Sequence, residues 1–446
     1  MMHPEAGTVA EAQASYRPAE LAGAREAVLA ARQADTNVLV RGSGSKLRWG
    51  ARPAGERPWS VIDTRALNRL IHHEPGDMTA TVQAGMPLHE LQEQLAVAGQ
   101  ELAVDPPRAA RGATVGGVYV ANDAGPRRLA YGGIRDLVIG TTVVLADGTV
   151  GRSGGTVIKN VAGYDLNRLW CGSLGTLALV VEMTVRLHPR PEASRTVLIP
   201  ASAGDATAFV LDVLASPVEC ALLEWSAPAP TQPQDPLIMN TNRPHRSISV
   251  HDQRGQAGGG GWLLVGLEGR AAGLDARVDQ LVDVARRHDL AAEPADGEDG
   301  LWDAWREAHA GTAGDDGAEG EAEGETVARA ATLPSQLADV AGGLHRAADA
   351  SGVEARLHSH AGLGLHDAII TGADPAAHAA TVTAWREHVC ALGGSVVVRD
   401  RPDGLDGLVD PWGEPRSAQL VKLSRSVKRA LDPEGRFAPG RFLGGL

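Results

Sequence analysis

Residues 113–140 have the sequence ATVGGVYVANDAGPRRLAYGGIRDLVIG. Gly116, Gly117 and Gly125 stand there among small and apolar residues. Paired glycines followed by small residues let the main chain lie flat against a large planar ligand, because no long side chain intervenes. The segment therefore predicts a binding surface that is made mostly of backbone.

Two further segments are rich in glycine and other small residues in the same way. Residues 154–180, GGTVIKNVAGYDLNRLWCGSLGTLALV, add Lys159, Asn160 and Tyr164. Residues 41–50, RGSGSKLRWG, follow the apolar run NVLV. That run predicts a buried strand, and an amphipathic helix is predicted before it, over 17–35. Successive N–H groups in a Gly/Ser turn form a concave nest for an anion. Taken alone, 41–46 could equally be a plain surface turn.

The loop at 41–50 does not match the common nucleotide motifs. A Walker A loop requires Gly directly before its Lys and Ser or Thr after it, whereas Ser45 and Leu47 flank Lys46. The dinucleotide fingerprint requires a third Gly, which is missing here. These departures argue against nucleoside triphosphate hydrolysis and against a Rossmann site.

Composition narrows the class of protein. A chain of 446 residues favours two or three domains, and its net charge of −13 argues against nucleic acid as the main partner. Cys171, Cys220 and Cys390 lie far apart, which excludes a thiolate cluster within this chain and fits a reducing compartment. No apolar run is long enough for a membrane span, so we expect a cytoplasmic protein that could reach a membrane only through partners.

In this order and spacing, the three segments resemble the FAD-binding domain of the vanillyl-alcohol oxidase/PCMH flavoprotein superfamily. The segment LDPEGRFAPGR, residues 431–441, is similar to the tail of those proteins. Within the superfamily, KNVAGYDL and AGPRR resemble the E-type FAD-binding subunits of glycolate oxidases. The resemblance covers most of residues 38–190 and the end of the chain.

The resemblance implies an α+β fold. A two-lobed PCMH-type FAD-binding domain would span 17–191, and a divergent ferredoxin-like cap would span 192–405, with low-complexity loops near 227–260 and 311–325. A C-terminal tail, 406–446, would pack back on the FAD domain, which we favour over a membrane contact for its basic amphipathic helix at 422–437. Trp302 and Trp305, spaced i, i+3, predict a helix face in a core.

The resemblance also implies FAD as the cofactor, bound noncovalently because neither of the first two loops contains a His. Residues 41–46 would bind the pyrophosphate, 113–125 would line the ribityl chain and isoalloxazine, and 159–165 with 175–180 would complete the pocket. The residues assigned to FAD are Arg41, Gly42, Ser43, Gly44, Ser45, Lys46, Thr114, Val115, Gly116, Gly117, Ala121, Asn122, Gly125, Lys159, Asn160, Gly163, Tyr164, Asp165, Gly175 and Val180.

The implied function is oxidation of glycolate or a similar 2-hydroxy acid to the 2-oxo acid. Electrons would pass to partners, namely a second flavoprotein subunit and an iron–sulfur subunit, since this chain has no cysteine cluster. Two alternatives remain open. One is a self-sufficient FAD oxidase or dehydrogenase of another alcohol or sugar, and the other is a non-catalytic assembly subunit.

A histidine element bears on these alternatives. Related D-type subunits and D-2-hydroxy-acid dehydrogenases combine an HxH element with a later EHG element around a metal. Here RLHSHAGLGLHDAII, residues 356–370, places His358 and His360 on one face of a strand, but SVVVRDRPDG stands where EHG would fall. We therefore predict no metal and structural histidines. Arg356, Arg399 and Arg401 could bind a carboxylate or form salt bridges, and no catalytic residue is assigned.

Overall fold

The computed structural model describes residues 12–157, 164–227, 260–295, 301–308 without 304 and 307, and 324–446 without 416. Lys159, Asn160 and Gly163 therefore lie outside the described residues. Within those ranges helices and strands are mixed throughout the chain, which confirms the predicted α+β class.

The N-terminal half forms two lobes, each built around one sheet, and contains one further two-stranded sheet. Its strands are β1 (Ala14–Tyr16), β2 (Asn37–Arg41), β3 (Trp59–Asp63), β4 (Leu70–Glu74), β5 (Thr79–Gln83), β6 (Gln100–Glu101), β7 (Val138–Val144), β8 (Val150–Gly154), β9 (Leu179–Arg186) and β10 (His188–Pro189). Its helices are α1 (Leu21–Gln33), α2 (Leu88–Ala96), α3 (Val115–Ala121), α4 (Arg128–Tyr131), α5 (Ile134–Leu137) and α6 (Asn167–Trp170).

A small parallel sheet of order β1-β3-β2 makes the first lobe, and α1 covers it with a face of small residues around Val28. The second lobe is an antiparallel sheet of order β4-β5-β9-β7-β8. Its core receives α2 and α3 through residues such as Leu91, Leu95 and Val118. The loop at 41–46 and the segment that begins at Thr114 lie where these two lobes meet.

The following region is a large antiparallel sheet with helices on one face. Its strands are β11 (Ala193–Ala201), β12 (Leu222–Ala227), β13 (Gly261–Gly269), β14 (Glu293–Pro294), β15 (Glu325–Ala331), β16 (Glu354–His360), β17 (Leu365–Thr371) and β18 (Ser395–Asp400). The covering helices are α7 (Ala203–Ala215), α8 (Ala271–Arg287), α9 (Leu337–Ser351) and α10 (Pro375–Ala391).

The strand order of this sheet, β14-β11-β13-β12-β16-β17-β15-β18, contains two ferredoxin-like βαββαβ units. They join edge to edge where β12 pairs antiparallel with β16. The prediction of a ferredoxin-like cap thus understated this region, because no sequence repeat marks the second unit. Apolar residues that alternate along the strands, such as Leu223, Trp225 and Val398, face the helices, which leaves the opposite face of the sheet to other residues.

The C-terminal residues return to the N-terminal half. The last helix, α11 (Ala418–Leu431), precedes a segment in which the Val38 N–H donates to the Arg436 carbonyl at 2.7 Å and the Ala438 N–H donates to the Val38 carbonyl at 2.9 Å. Phe437 is fully buried beside Val38 in the core of the first lobe. Among the described residues, no helix is both long and apolar enough to cross a bilayer.

Candidate functional site

The loop after β2 forms one wall of an open cleft between the two lobes. Gly44 adopts φ +90°, which favours glycine, and the N–H groups of Gly42, Ser43 and Gly44 bond to no other described residue. A Cβ at Gly42 would lie 2.3 Å from the Thr114 hydroxyl. Glycine is therefore required both to turn the chain and to bring this loop against the second segment.

The second segment is not an extended chain but the helix α3. Thr114 caps its N-terminus by accepting a hydrogen bond from the Gly117 N–H at 3.2 Å. The Gly116 N–H donates to the Ala84 carbonyl at 2.8 Å, and a Cβ at Gly116 would lie 2.6 Å from the same oxygen. The glycine pair therefore seats the helix directly on the chain that follows β5, with its exposed backbone toward the cleft.

The cleft is walled mainly by small residues and main chain. We call it the glycine cleft. The assigned residues that line it are Arg41, Gly42, Ser43, Gly44, Ser45, Lys46, Thr114, Gly116, Gly117, Ala121, Gly175 and Val180. Val120 and Ala178, which lie within the segments 113–125 and 175–180, also line it. Sequence reasoning missed its other lining residues, which are Val40, Leu47, Thr64, Ala84, Leu174 and Arg441.

Arg441 could have been identified from the sequence, because it is the last residue of the tail motif LDPEGRFAPGR, on which the resemblance partly rests. Its guanidinium donates to the carbonyls of Lys46 and Leu47 at 2.9 and 3.0 Å and to that of Leu174 at 3.2 Å. The tail thereby fixes the loop from behind. The other missed residues are ordinary apolar or small residues that only the packing of the lobes identifies.

Several assigned residues lie outside the glycine cleft. Val115 is buried in the core of the second lobe, since it is the residue of α3 that turns away from the cleft. Asn122 ends α3 in a left-handed conformation, and Gly125 permits a close approach of the chain to the Asp105 carbonyl. Tyr164 and Asp165 are exposed, and Asp165 pairs with Arg168 at 2.9 Å.

Lys46 lines the cleft, but its charge is directed elsewhere. Its Nζ lies 3.4 Å from the Asp123 carboxylate, and the side chain is buried. Burial lowers the pKa of Lys46, and the neighbouring Asp123 opposes that shift. The lysine that suggested a phosphate contact in the sequence therefore neutralises a buried aspartate.

The glycine cleft is compatible with FAD. Its glycines at 42 and 116 leave no room for a Cβ, and the buried Arg41 Nε has no hydrogen-bond partner among the described residues. Free N–H groups in the 42–44 turn suit phosphate oxygens, since backbone donors in such a turn converge on an anion. The loop after β2, the start of α3 and residues 174–180 all border the cleft, so one ligand could contact the main chain of all three segments.

The cap sheet presents a second set of candidate residues toward this domain. We call the sheet face opposite the helices the inward face, and its polar side chains include Glu224, Ser226, Glu268, Arg329, His358, His360, Asp367 and Arg399. Contacts of Glu268 and Arg399 tie it to the FAD domain. Arg127 Nη2 lies 3.0 Å from Glu268, and Arg399 lies 3.7 Å from Asp123 and stacks over Trp49 at 4.1 Å.

Cross-strand register assembles the inward face. His360 lies opposite Glu224, and their side chains are 2.9 Å apart, while His358 Nδ1 is 2.9 Å from the Ser226 hydroxyl. Arg329 lies opposite Asp367 and donates to it at 2.6 Å. These residues come from four strands, so their proximity follows from pairing in the sheet.

Burial controls the protonation of the inward face. It raises the pKa of Glu224 well above its usual range, with help from Asp105 and Asp367, and lowers the pKa of His360 to about 3, assisted by Arg329. Burial would also raise the pKa of Asp367, but Arg329 and the surrounding cations outweigh it and hold that pKa well below normal. Asp367 is therefore a permanent anion, whereas His360 is a neutral hydrogen-bonding group.

The histidines do not assemble a metal site among the described residues, where no group of three or more His, Cys, Asp or Glu could hold an ion. His358 and His360 have the partners just described, and the Trp305 ring packs 5.7 Å from His360 and 6.5 Å from His358. Trp302 and Trp305 are buried together, as their spacing predicted. Of the three arginines considered, only Arg399 lies on the inward face near the FAD domain; Arg401 donates to the Gly50 carbonyl, and the Arg356 side chain is 49% exposed.

Comparison with known proteins agrees with this architecture. Residues 12–154 match the FAD binding domain family, and residues 234–398 match the C-terminal domain of FAD linked oxidases. The chain also resembles solved structures of p-cresol methylhydroxylase (TM-score 0.70, 17% identity, covering 96% of this chain and 88% of that one) and alkyldihydroxyacetonephosphate synthase (TM-score 0.69, 17% identity, covering 95% and 75%). At these identities the likeness concerns the fold alone.

Curated relatives match over a shorter stretch. The chain is 38% identical to glycolate oxidase subunit GlcE of Escherichia coli over 159 residues, which are 36% of this chain and 44% of that protein. It is 38% identical to glycolate oxidase subunit GlcD of Bacillus subtilis over 189 residues, 42% and 40% of the two chains. It is 37% identical to D-lactate dehydrogenase of Archaeoglobus fulgidus over 163 residues, 36% of each. The chain thus spans less than half the length of these relatives.

The matched FAD binding domain precedes the matched C-terminal domain of FAD linked oxidases along the chain, and FAD is the cofactor named by both. The chain therefore combines an FAD-binding domain with the C-terminal domain of an FAD-linked oxidase.

Proposed function

We propose that this chain is the FAD-binding, E-type subunit of a glycolate oxidase-like assembly, which oxidises glycolate or a similar 2-hydroxy acid. The main support for this proposal is that the chain is 38% identical to a glycolate oxidase subunit and also contains a glycine cleft that suits FAD. The E type is favoured over the D type because β18 supplies Arg399 and Asp400 where an EHG element would stand.

FAD would be held without a covalent bond, by main chain at 42–46 and by the start of α3. Bound FAD supplies the acceptor for the hydride that leaves the carbinol carbon of the substrate. The work of this chain would be to orient the substrate and to exclude water from the boundary between the two domains. Residues of the inward face are buried enough to do both, since Glu224, His360 and Asp367 are each no more than 5% exposed.

Arg399 is the residue we assign to the substrate carboxylate. Arg329 already donates two hydrogen bonds to Asp367, whereas Arg399 is held only by a 3.7 Å contact to Asp123 and by Trp49. Burial lowers the pKa of Arg399 to about 10, with a further contribution from Arg329, so the group stays charged at neutral pH. A carboxylate could replace the loose Asp123 contact with a bidentate one.

Electrons would leave through partner subunits, a second flavoprotein and an iron–sulfur protein. The rival function is a self-sufficient dehydrogenase, and it is favoured by the match to a D-lactate dehydrogenase, whose name mentions no subunit. A visible spectrum of the purified chain separates the two. Flavin absorbance that persists with glycolate, D-lactate or D-2-hydroxyglutarate and bleaches only with the co-expressed subunits supports the subunit assignment.

Bleaching by the chain alone would instead establish self-sufficient chemistry. Arg399→Met should then lower kcat/KM at least tenfold by raising KM, because a charged hydrogen bond to substrate is lost. Arg356→Met is the matched control, since that arginine is half-exposed on the same sheet. A protein that contains no flavin after purification and refuses added FAD would overturn the proposal as a whole.

A further inference from the structure

Among the described residues, every buried cation except one has a carboxylate partner. Seven lysine and arginine side chains are buried there. Six of them have a carboxylate oxygen at no more than 3.4 Å, and these are Lys46, Arg108, Arg329, Arg401, Lys428 and Arg436. The seventh is Arg441, which is 4% exposed and forms no ion pair within the described part of the chain.

The hydrogen bonds of Arg441 to described residues all go to main chain. Its guanidinium donates to the Trp49 carbonyl at 3.2 Å, in addition to the carbonyls of Lys46, Leu47 and Leu174. Carbonyl dipoles offset part of the cost of burying a guanidinium, but they carry no net negative charge. Burial lowers the pKa of Arg441 to about 10, so the group is still charged at neutral pH. A buried positive charge therefore remains without an anion.

This charge borders the glycine cleft. Arg441 lines the cleft together with residues 41–47, and none of the described residues that line it is acidic. The two other cations of the lining, Arg41 and Lys46, each lie near a carboxylate, at 3.6 and 3.4 Å. The cleft thus has one uncompensated positive charge, and the same cleft contains the turn whose N–H groups suit phosphate oxygens.

We propose that Arg441 supplies the positive charge that balances the pyrophosphate of FAD in the glycine cleft. The pyrophosphate is a dianion at neutral pH, and moving it from water into a cleft requires compensating charge as well as hydrogen-bond donors. The N–H groups of residues 42–44 are donors without net charge. Arg441 adds the charge, and it holds carbonyls of the same loop in place. This inference rests on FAD binding in the glycine cleft.

A role confined to holding the loop predicts a different pattern of variants. Arg401 is the matched control, because its guanidinium is also buried and donates to carbonyls of the same loop, those of Gly50 at 2.8 Å and Arg48 at 3.3 Å. Its charge, however, is paired with Asp406 at 2.7 Å. If Arg441 only holds the loop, removing either arginine should weaken FAD binding to the same extent.

The test is titration of the full chain, freed of flavin, with FAD, followed by flavin fluorescence. Arg441→Gln and Arg441→Met should each raise the Kd for FAD about thirtyfold, because a charged interaction is lost. Arg441→Lys keeps the charge, and Arg401→Gln removes a charge that is already paired, so both should raise it less than about fivefold. Urea unfolding of the flavin-free proteins verifies that the variants fold.

A second measurement uses the unmodified chain. Excess inorganic pyrophosphate should raise the Tm of the flavin-free protein and compete with FAD, since a ligand that binds only the folded state stabilises it. Sodium chloride of equal ionic strength should do neither, and Arg441→Gln should lose the response to pyrophosphate.

Three results would overturn the inference. They are equal losses of FAD affinity in Arg441→Gln and Arg401→Gln, an Arg441→Lys variant that binds as weakly as Arg441→Gln, and a flavin-free chain that does not respond to pyrophosphate. A failure of the unmodified chain to bind FAD is a different result, because it would overturn the cofactor assignment and this inference with it.

Discussion

The glycine cleft and the inward face of the cap sheet border the same domain boundary but are built in opposite ways. The cleft consists of main chain and small residues, and its shape depends on positions such as Gly42 and Gly116 where no Cβ fits. The inward face consists of long, charged side chains, such as Arg329 and Asp367, buried and paired across strands. Bare backbone suits a cofactor that is always the same, whereas charged side chains can adapt to a particular substrate. Four predictions probe this contrast.

The strongest effect should come from breaking the buried ion pair. Arg329→Met leaves the Asp367 carboxylate buried without its main partner, which should lower the free energy of unfolding by about 3–5 kcal/mol. Urea unfolding measures the change. Arg329→Met/Asp367→Leu should recover most of the loss, since it removes both charges. If the double variant is no more stable than the single one, the inward face does not depend on charge pairing.

The pH dependence of stability should report on Asp105, near Glu224 at the same boundary. Burial raises the pKa of Asp105 from 3.8 to about 7, although Arg127 opposes the shift. Because the folded state keeps this carboxyl protonated after the unfolded chain has released its proton, stability falls as pH rises between the two values. From about pH 5 to about pH 8 the expected loss is about 3 kcal/mol.

Asp105→Asn should remove that part of the pH dependence, because the amide does not titrate. Urea unfolding of both proteins over the same pH range gives the comparison. A variant that loses stability with pH as steeply as the original chain would show that Asp105 is ionised in the folded state.

A smaller effect is expected from filling the cleft wall. Gly116→Val places a side chain 2.6 Å from the Ala84 carbonyl, so α3 must shift, at a cost of about 1–3 kcal/mol. The affinity for FAD should fall at least tenfold, as measured by equilibrium dialysis. Gly273→Val is the control, because a Cβ there meets nothing within 4 Å. Equal flavin content in the two variants would show that Gly116 does not contact the cofactor.

The smallest effect should follow Lys46→Met. Since the Lys46 ammonium faces Asp123 and the cleft is formed by backbone, FAD affinity should change by less than tenfold. Asp123→Asn serves as the partner variant and should behave similarly. A hundredfold loss confined to Lys46→Met would mean that the lysine contacts the pyrophosphate after all, and that the cleft also relies on its charge.

Sequence reasoning located the cleft better than the cap. The glycines of 41–46 and 113–117 were recognisable because a missing Cβ is a property of one residue and its neighbours. It did not foresee that residues 115–121 form the helix α3, since VGGVYVA contains glycines and β-branched residues that disfavour a helix; the Thr114 cap and the packing on Ala84 override that preference. It also did not foresee the contact of Lys46 with Asp123, because a loop sequence does not show which carboxylate lies behind it.

The cap could not have been foreseen in the same way. His358 and His360 share a strand face, as predicted, but their partners Glu224 and Ser226 lie more than a hundred residues away and meet them only through the pairing of β12 with β16. The second ferredoxin-like unit could not be predicted either, because no sequence repeat marks it. In both cases the relevant information is the register between distant strands.

The sequence by itself determined the α+β class and FAD as the cofactor, because these rest on short runs of small residues whose conformational freedom is local. Only the tertiary structure decided which charges meet at the domain boundary, and that Arg441 closes the cleft from the far end of the chain. Those contacts join residues that are hundreds of positions apart. Their energies arise from burial and strand pairing, which no single segment encodes.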